Sequence, residues 1–273
     1  MESMSKKIID AAELKGIAKI IRRRIIEMIY EAKSGHPGGS LSCVEILVSL
    51  YFNKMKYDPE NPMWPDRDRF ILSKGHAAPA LYAVLAEAGF FPTEELKTLR
   101  KLGSRLQGHA SMYTPGIDAS TGSLGMGLAI ANGMAISAKL DKKKYNVYVL
   151  LGDGELQEGN IWEAAMSAAN YNLSNVTAII DRNHVQQTGF TENIMKLEPL
   201  EEKWKSFGWA VLHVDGHNIS EILRALDEKI SKPKVIIADT VKGKGVSFME
   251  NKHEWHGIAP DEVQFKKAME ELK

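Results

Sequence analysis

The sequence predicts a three-layer α/β protein, an open and mostly parallel sheet with helices on both faces. Three observations predict it. From Asn146 onward, short β-rich runs alternate with helical stretches. The connections between those runs are long enough to hold a helix, which sets neighbouring strands parallel with right-handed crossovers. The composition, 44% hydrophobic and 26% charged, is that of a globular chain able to fill an apolar core.

Taken in order, Leu14, Ile17, Ile21, Ile25 and Met28 recur at helical spacing until Gly35 stops the run. Further helices are expected from Ser42 to about Asn53, from Ala77 to Ala88, behind Pro92 and Thr93, and from Gly125 to Leu140, so residues 1–140 read as a helical segment with glycine-rich loops. Strands are then expected at 147–151 (VYVLL), 176–180 (VTAII), 209–214 (WAVLHV) and 234–240 (KVIIADT), with helices near 160–170, 199–207 and 219–230 between them. Residues 261–271 begin with a capping aspartate and read as a short amphipathic helix or a linker remnant. No linker, low-complexity stretch or internal repeat divides the chain, and 1–273 is read as one domain.

Charge and cysteine usage narrow the function. Among 273 residues, 35 Lys+Arg balance 35 Asp+Glu, which argues against a basic nucleic-acid binder. The single cysteine, Cys43, makes no internal disulfide and no cysteine-rich zinc site. No run reaches the roughly 18 apolar residues of a membrane helix, and the first residues, MESMSKKIIDAAELK, mix both charge signs with no apolar signal core. The expectation is a cytoplasmic protein with neither membrane nor nucleic acid as partner.

Open sheets of this kind bind ligands beyond the carboxyl ends of their strands. There, Gly152, Asp153 and Gly154 follow one predicted strand, and Asp181, Arg182 and Asn183 follow the next. If the two strands are neighbours, Asp153 and Asn183 form an oxygen-only ligand pair suited to Mg²⁺ or Ca²⁺. Alone, either motif is a tight turn or a loop residue. Together, two glycines that admit an anion and a following helix that aims its N–H groups at the same space fit a metal-bridged diphosphate. The dinucleotide fingerprint G-x-G-x-x-G fails at Gln157, no strand precedes the glycines at 122–127, and there is no G-x-x-x-x-G-K-[ST] loop.

GDG, then 27 residues from Glu155 to Asp181, then a dipeptide ending in Asn183 resembles the thiamine diphosphate-binding motif. Arg182 stands where that motif often has its first Asn. The similarity extends over SGHPGGSLS (34–42), RDRFILSKGHAAPALY (67–82), TGSLGMGLAIANGMA (121–135), GDGELQEGNIWEA (152–164) and HG (256–257), and is to transketolases, specifically their N-terminal, diphosphate-binding part. It implies a thiamine diphosphate-binding fold of the diphosphate type in the N-terminal subunit of a split transketolase. A separate C-terminal subunit with the pyrimidine-binding domain, an α2β2 heterotetramer, thiamine diphosphate with Mg²⁺ or Ca²⁺, and reversible ketol transfer between ketose and aldose phosphates of the pentose phosphate pathway follow from it. The same resemblance implies metal ligation by Asp153, Asn183 and the Val185 carbonyl. It implies cofactor contacts from Gly122, Ser123, Leu124, Gly154, His76 and His256. Ser123 replaces the family's usual proline. Glu158 is either the family's glutamate that couples two cofactor sites or a surface charge near a helix start.

Five histidines, His36, His76, His109, His217 and His256, have a glycine beside them and therefore sit in loops. By resemblance His36, His76, His109 and His256 are catalytic, lining the channel and moving protons, as a neutral imidazole near pH 7 can. His253 is a second contributor, and His217 reads as a strand-end turn residue. HEWH at 253–256 is one residue short of H-E-x-x-H, and His213 with His217 straddles a strand end, so zinc ranks below thiamine. The alternatives are another enzyme of the superfamily, a 1-deoxyxylulose-5-phosphate synthase (suggested by KGKG at 242–245) or a dihydroxyacetone synthase, and a non-catalytic thiamine-binding subunit.

Overall fold

Residues 10–273 are described by the structure, a computed structural model; the charge-mixed residues 1–9 lie outside the described residues. Helix α1 (Ala11–Ala32) starts where the Asp10 carboxylate accepts the N–H groups of Ala12 and Glu13 at 2.8 and 2.9 Å, and it buries the apolar stripe Leu14, Ile21, Ile25 and Met28. The helix expected from Ser42 begins earlier, at Pro37, because proline at the first helical position is already shaped for a helix. It is broken at Cys43 into α2 (Pro37–Ser42) and α3 (Val44–Ser49), followed by a wider turn over Leu50–Lys54. Behind Pro92 the chain forms only a 3₁₀ turn, Thr93–Thr98.

One element corrects the reading of 1–140 as helical. Strand β1 (Arg69–Leu72) lies within that segment, between the wider turn Leu50–Lys54 and α4 (Ala78–Glu87). Four residues are too few to show a period, and what makes them a strand is a partner far along the chain. That partner is β2 (Val147–Gly152), which follows α5 (Met126–Leu140). The remaining elements are α6 (Gly159–Asn170), β3 (Val176–Arg182), α7 (Thr191–Ile194), α8 (Leu200–Ser206), β4 (Ala210–Asp215), α9 (Ile219–Asp227), β5 (Lys234–Asp239) and α10 (Glu262–Glu271). A capping box of Asp261 and Gln264 opens α10, and Phe265 stacks on Tyr30 of α1 with ring centroids 4.1 Å apart. The C-terminal residues are therefore packed against the body.

The sheet order is β1-β2-β3-β5-β4, and every neighbouring pair is parallel. Alternation along the strands sends Phe70, Leu72, Tyr148, Leu150 and Ile179 to one core with α1, α3, α4 and α9. Ile71, Val147, Val149, Leu151 and Ile180 go to a second core with α5, α6 and α8. The three layers follow from that division. Among the described residues no helix is long and apolar enough to cross a membrane.

With Gly152 opposite Asp181, β2 and β3 deliver Asp153 and Asn183 side by side at their carboxyl ends. β1 delivers Ser73 and Lys74 on one flank, and β5 delivers Thr240 on the other. The turn after β1 packs directly on the loop before α5: a Cβ on Gly75 would lie 2.7 Å from Thr121 Oγ1 and 2.9 Å from the Gly122 nitrogen. Gly75→Ala is expected to force those loops apart and to cost about 1–3 kcal/mol, as overpacking does. Urea unfolding of the variant beside the parent chain measures it.

Candidate active site

A cavity of about 360 Å³ opens at these strand ends. His36, His76, His109 and His256, separated by up to 220 residues of chain, line it together. Their rings form one cluster, with centroids 5.4 Å apart for His36 and His76, 5.5 Å for His36 and His256, 5.9 Å for His36 and His109, and 5.0 Å for His76 and His256. Burial, with help from Arg100, holds His36 at about 4, and burial beside Lys242 holds His256 at about 3. His76 is pushed well down by burial and Lys74, and His109 more mildly by burial and Arg100. All four rings are thus neutral at pH 7, each with one donor and one acceptor nitrogen. Lys242 Nζ lies 3.0 Å from His256 Nδ1; an ammonium can only donate, so the His256 proton sits on Nε2.

Beside the rings lie the oxygen donors. Asp153 is buried; its Oδ1 accepts the Gly154 N–H at 2.7 Å, and its Oδ2 accepts the His184 N–H at 2.5 Å and faces Arg182 Nη1 at 3.4 Å. Asn183 Oδ1 accepts the Val185 N–H at 3.1 Å, and the Val185 carbonyl accepts from Lys242 Nζ at 3.0 Å. Asp153, Asn183 and Val185 all border the cavity, as do Gly122, Leu124, Gly154 and Glu158. Ser123 is exposed and does not border it. Glu158 is the exposed residue just before α6 and makes no capping bond there. The carboxylate, amide and carbonyl oxygens suit a hard divalent cation, because each retains a lone pair beyond the bonds it makes. His36 lines the same cavity, and its Nδ1 is buried with no hydrogen-bond partner in the fold. The residues present fit a metal-bridged diphosphate.

Buried charged side chains decide this geometry, and sequence reasoning gave none of them that role. Lys74 Nζ pairs with Asp181 and also donates to the Gly39 carbonyl at 2.9 Å; both side chains are essentially fully buried. Although burial opposes ionisation of both, each holds the other charged, Asp181 below and Lys74 above its ordinary value. Arg182, in the motif's Asn position, spans Asp153, Thr191 at 2.9 Å, and Glu192 and Glu198 at 3.0 Å, and so ties the loop after β3 to the GDG turn. Glu155 accepts from Ser73 Oγ at 2.5 Å, Gly125 N at 2.9 Å and Gly152 N at 3.0 Å, joining the loop before α5 to the same turn. Lys242 also reaches the cavity, and its burial brings it down to about 8. Lys74 and Lys242 stand inside the SKGH and KGKG motifs, yet a lysine carries no sequence signal of burial.

Other histidines are occupied elsewhere. His253 is exposed beside Glu254 and outside the cavity, so it is no second contributor. His213 faces Glu201 at 3.2 Å and His217 faces Glu45 at 2.9 Å, so the two share no ligand geometry. Among the described residues no group of three or more His, Cys, Asp or Glu side chains is arranged to hold a metal ion.

A family profile described as the thiamine diphosphate binding domain of transketolase matches residues 14–272. The chain belongs to the transketolase family. It is 46% identical over 254 residues to an apulose-4-phosphate transketolase subunit of Phocaeicola vulgatus, with 92% of this chain and 90% of that one covered. It is 47% identical to the 6-deoxy-6-sulfo-D-fructose transketolase subunit SqwG of a Clostridium species, covering 99% and 98%. Human transketolase is 44% identical over 89% of this chain, which spans only 39% of the human protein. The crystal structure of transketolase from Campylobacter jejuni superposes with a TM-score of 0.92 at 35% identity, and this chain covers 43% of it. This transketolase chain thus matches subunits along their whole length and full-length enzymes along about two fifths of theirs.

The site's charges set how its stability responds to substitution and to pH. Lys74→Met strands the Asp181 carboxylate without its cation and is expected to cost about 3–5 kcal/mol in denaturant unfolding. For the histidines the unfolded rings titrate near pH 6.5, above the folded values of about 4 and about 3. The unfolded chain therefore binds more protons below pH 6.5, and the stability held in the neutral rings, complete above that pH, is lost as pH falls toward 4 and 3. Imidazole proton NMR should find His36 and His256 uncharged at pH 5.5, while the urea midpoint falls steadily from pH 7 to pH 4.

Proposed function

We propose that this chain is the thiamine diphosphate-binding subunit of a two-chain transketolase, which transfers a two-carbon ketol unit reversibly between ketose and aldose phosphates. One observation carries the reading: four neutral imidazoles share a cavity with the oxygen donors of Asp153, Asn183 and Val185. The cofactor, when bound, supplies the carbon nucleophile needed to break and remake the carbon–carbon bond. Asp153, Asn183 and the Val185 carbonyl hold Mg²⁺ or Ca²⁺, and Lys242 adds positive charge for the diphosphate. Gly122, Leu124 and Gly154 form the walls along the cofactor.

His36, His76, His109 and His256 act on the sugar. Being neutral, they donate to its oxygens or accept from its hydroxyls, and His256 offers its Nε2 proton, because Nδ1 is already engaged by Lys242. A second subunit bearing the pyrimidine-binding half completes the site in this reading. Relatives that match along their whole length are named as subunits, which supports the same division. The assembly we propose is α2β2 and cytoplasmic.

The test is ketol transfer from xylulose 5-phosphate to ribose 5-phosphate with thiamine diphosphate and Mg²⁺. The expected outcome is no turnover by this chain alone and turnover when a C-terminal transketolase subunit carrying the pyrimidine-binding half is added; a normal rate from this chain alone overturns the two-chain reading, and pyruvate consumption with CO₂ release replaces the reaction by a deoxyxylulose-phosphate synthesis. In that complex, Asp153→Ala should weaken thiamine diphosphate binding by about tenfold or more, the usual loss for a displaced metal-site group. His256→Ala should leave cofactor affinity within about threefold and lower kcat by about 10²-fold, as loss of one acid–base group does. Calorimetry and steady-state kinetics separate the two.

A further inference from the structure

His217, which reads from sequence as a turn residue, is the centre of a buried chain of hydrogen bonds that ends on the loop carrying Lys242. Its Nε2 accepts the Val241 N–H at 2.9 Å. A ring nitrogen that accepts carries no proton, so the His217 proton sits on Nδ1 and is donated to Glu45 Oε2 at 2.9 Å. Glu45 in turn receives both prongs of the Arg22 guanidinium at 2.7 Å, and Arg22 Nε donates to the Lys244 carbonyl at 3.1 Å. Arg22 comes from α1, Glu45 from α3 and His217 from the turn after β4. The chain they form grips the loop on both sides of Lys242, at Val241 and at Lys244.

The loop needs such a grip. Gly243 and Gly245 have φ of +78° and +94°, a backbone that a free loop holds weakly. Lys242 is 1% exposed, and an ammonium buried against carbonyls leaves for water unless its backbone is fixed. Other bonds also anchor the loop: the Thr240 hydroxyl to Asp181, the Thr240 N–H to the Arg182 carbonyl at 3.1 Å, the Gly243 N–H to the Gly38 carbonyl at 3.0 Å, the Asn251 N–H to the Lys242 carbonyl at 2.9 Å and the Gly245 N–H to Glu250 at 3.0 Å. None of these engages the Val241 N–H, which His217 alone accepts. Arg22, Glu45 and His217 do not border the cavity.

We propose that His217, with Glu45 and Arg22 behind it, is a positioning residue that holds the Lys242 loop so that its ammonium reaches a diphosphate, setting the affinity for that anion without touching it. This role rests on the diphosphate reading of the cavity. It requires an acceptor at the Nε2 position rather than a ring as such. Glutamine places its side-chain oxygen near that position, whereas asparagine reaches only the Nδ1 position.

The test compares His217→Gln with His217→Asn in the full-length chain. The readouts are hydrogen exchange at the Val241 amide and calorimetric binding of inorganic pyrophosphate with Mg²⁺. In His217→Asn, exchange should accelerate and pyrophosphate affinity should fall, each by about tenfold, the scale of one lost buried hydrogen bond. In His217→Gln both should stay within about threefold of the parent, since a substituted hydrogen bond is retained. Placed in a Lys242→Met background, His217→Asn should lower pyrophosphate affinity no further, because the effect runs through that lysine. Equal behaviour of Asn and Gln, or full additivity with Lys242→Met, overturns the proposal. If His217→Asn does not fold, Arg22→Lys, which removes the Nε bond to Lys244, takes its place: pyrophosphate affinity should fall by about tenfold, and an unchanged affinity, or a loss that adds fully to that of Lys242→Met, overturns the proposal. If the parent chain binds no pyrophosphate, the diphosphate reading fails, and Val241 exchange alone still decides whether His217 holds the loop.

Discussion

The site depends on the ion pair between Lys74 and Asp181. Both side chains are shut away from water, and Asp181 is where four segments meet: Ser42 donates to it at 2.6 Å from the end of α2, Lys74 from the turn after β1, Thr240 from the end of β5, and Asn183 Nδ2 at 3.2 Å from its own strand end. A buried charge tolerates no loose partner, because every lost contact leaves it desolvated and uncompensated. An apolar pair of the same volume would fill the space but would not draw three loops and a helix end to a single side chain. The position of Asn183 beside Asp153 and the entry of the SKGH turn into the cavity both follow from this convergence.

Around that pair the buried charges alternate. Glu155 binds the loops before α5 and after β1, Arg182 binds the GDG turn to the loop after β3, and Glu45 with Arg22 binds α1 to α3. Burial alone would pull Glu45 up, yet its bonds from His217 and Arg22 bring it down to about 2, so the carboxylate stays charged inside the fold. The histidine rings take the other course. With Lys74, Lys242 and Arg100 near them and little water, they remain neutral, the form in which one nitrogen gives a proton and the other takes one. Fixed charges and neutral rings share the cavity, the charges and oxygen donors suited to an anion with its metal and the rings suited to hydroxyls and carbonyls.

Much of this arrangement is legible in the order of residues. GDG and Asn183 are spaced by one strand–helix–strand unit, and a parallel sheet brings the ends of consecutive strands together, so Asp153 and Asn183 had to meet if β2 and β3 were neighbours. The glycines beside His36 and His109 marked loop positions, whereas His76 and His256 stand in short 3₁₀ turns, Gly75–Ala77 and His253–His256, a correction to the loop reading. Less legible were β1, whose four residues have no period to detect, and the break at Cys43, where nothing local interrupts the apolar run. Ser123 sits between two cavity residues in sequence but faces solvent, since adjacent residues in a loop need not share a direction.

The sequence by itself determines the layers, the strand ends that matter and the chemical types gathered there, because these rest on periodicity, turn-forming residues and short spacings. Tertiary structure alone decides which lysines are buried, which histidine is a ligand-facing ring and which a strut, and which tautomer each holds. Those properties arise from desolvation and from partners tens to hundreds of residues away, such as Lys74 with Asp181 or His217 with Glu45. Neither cause leaves a local trace in the sequence.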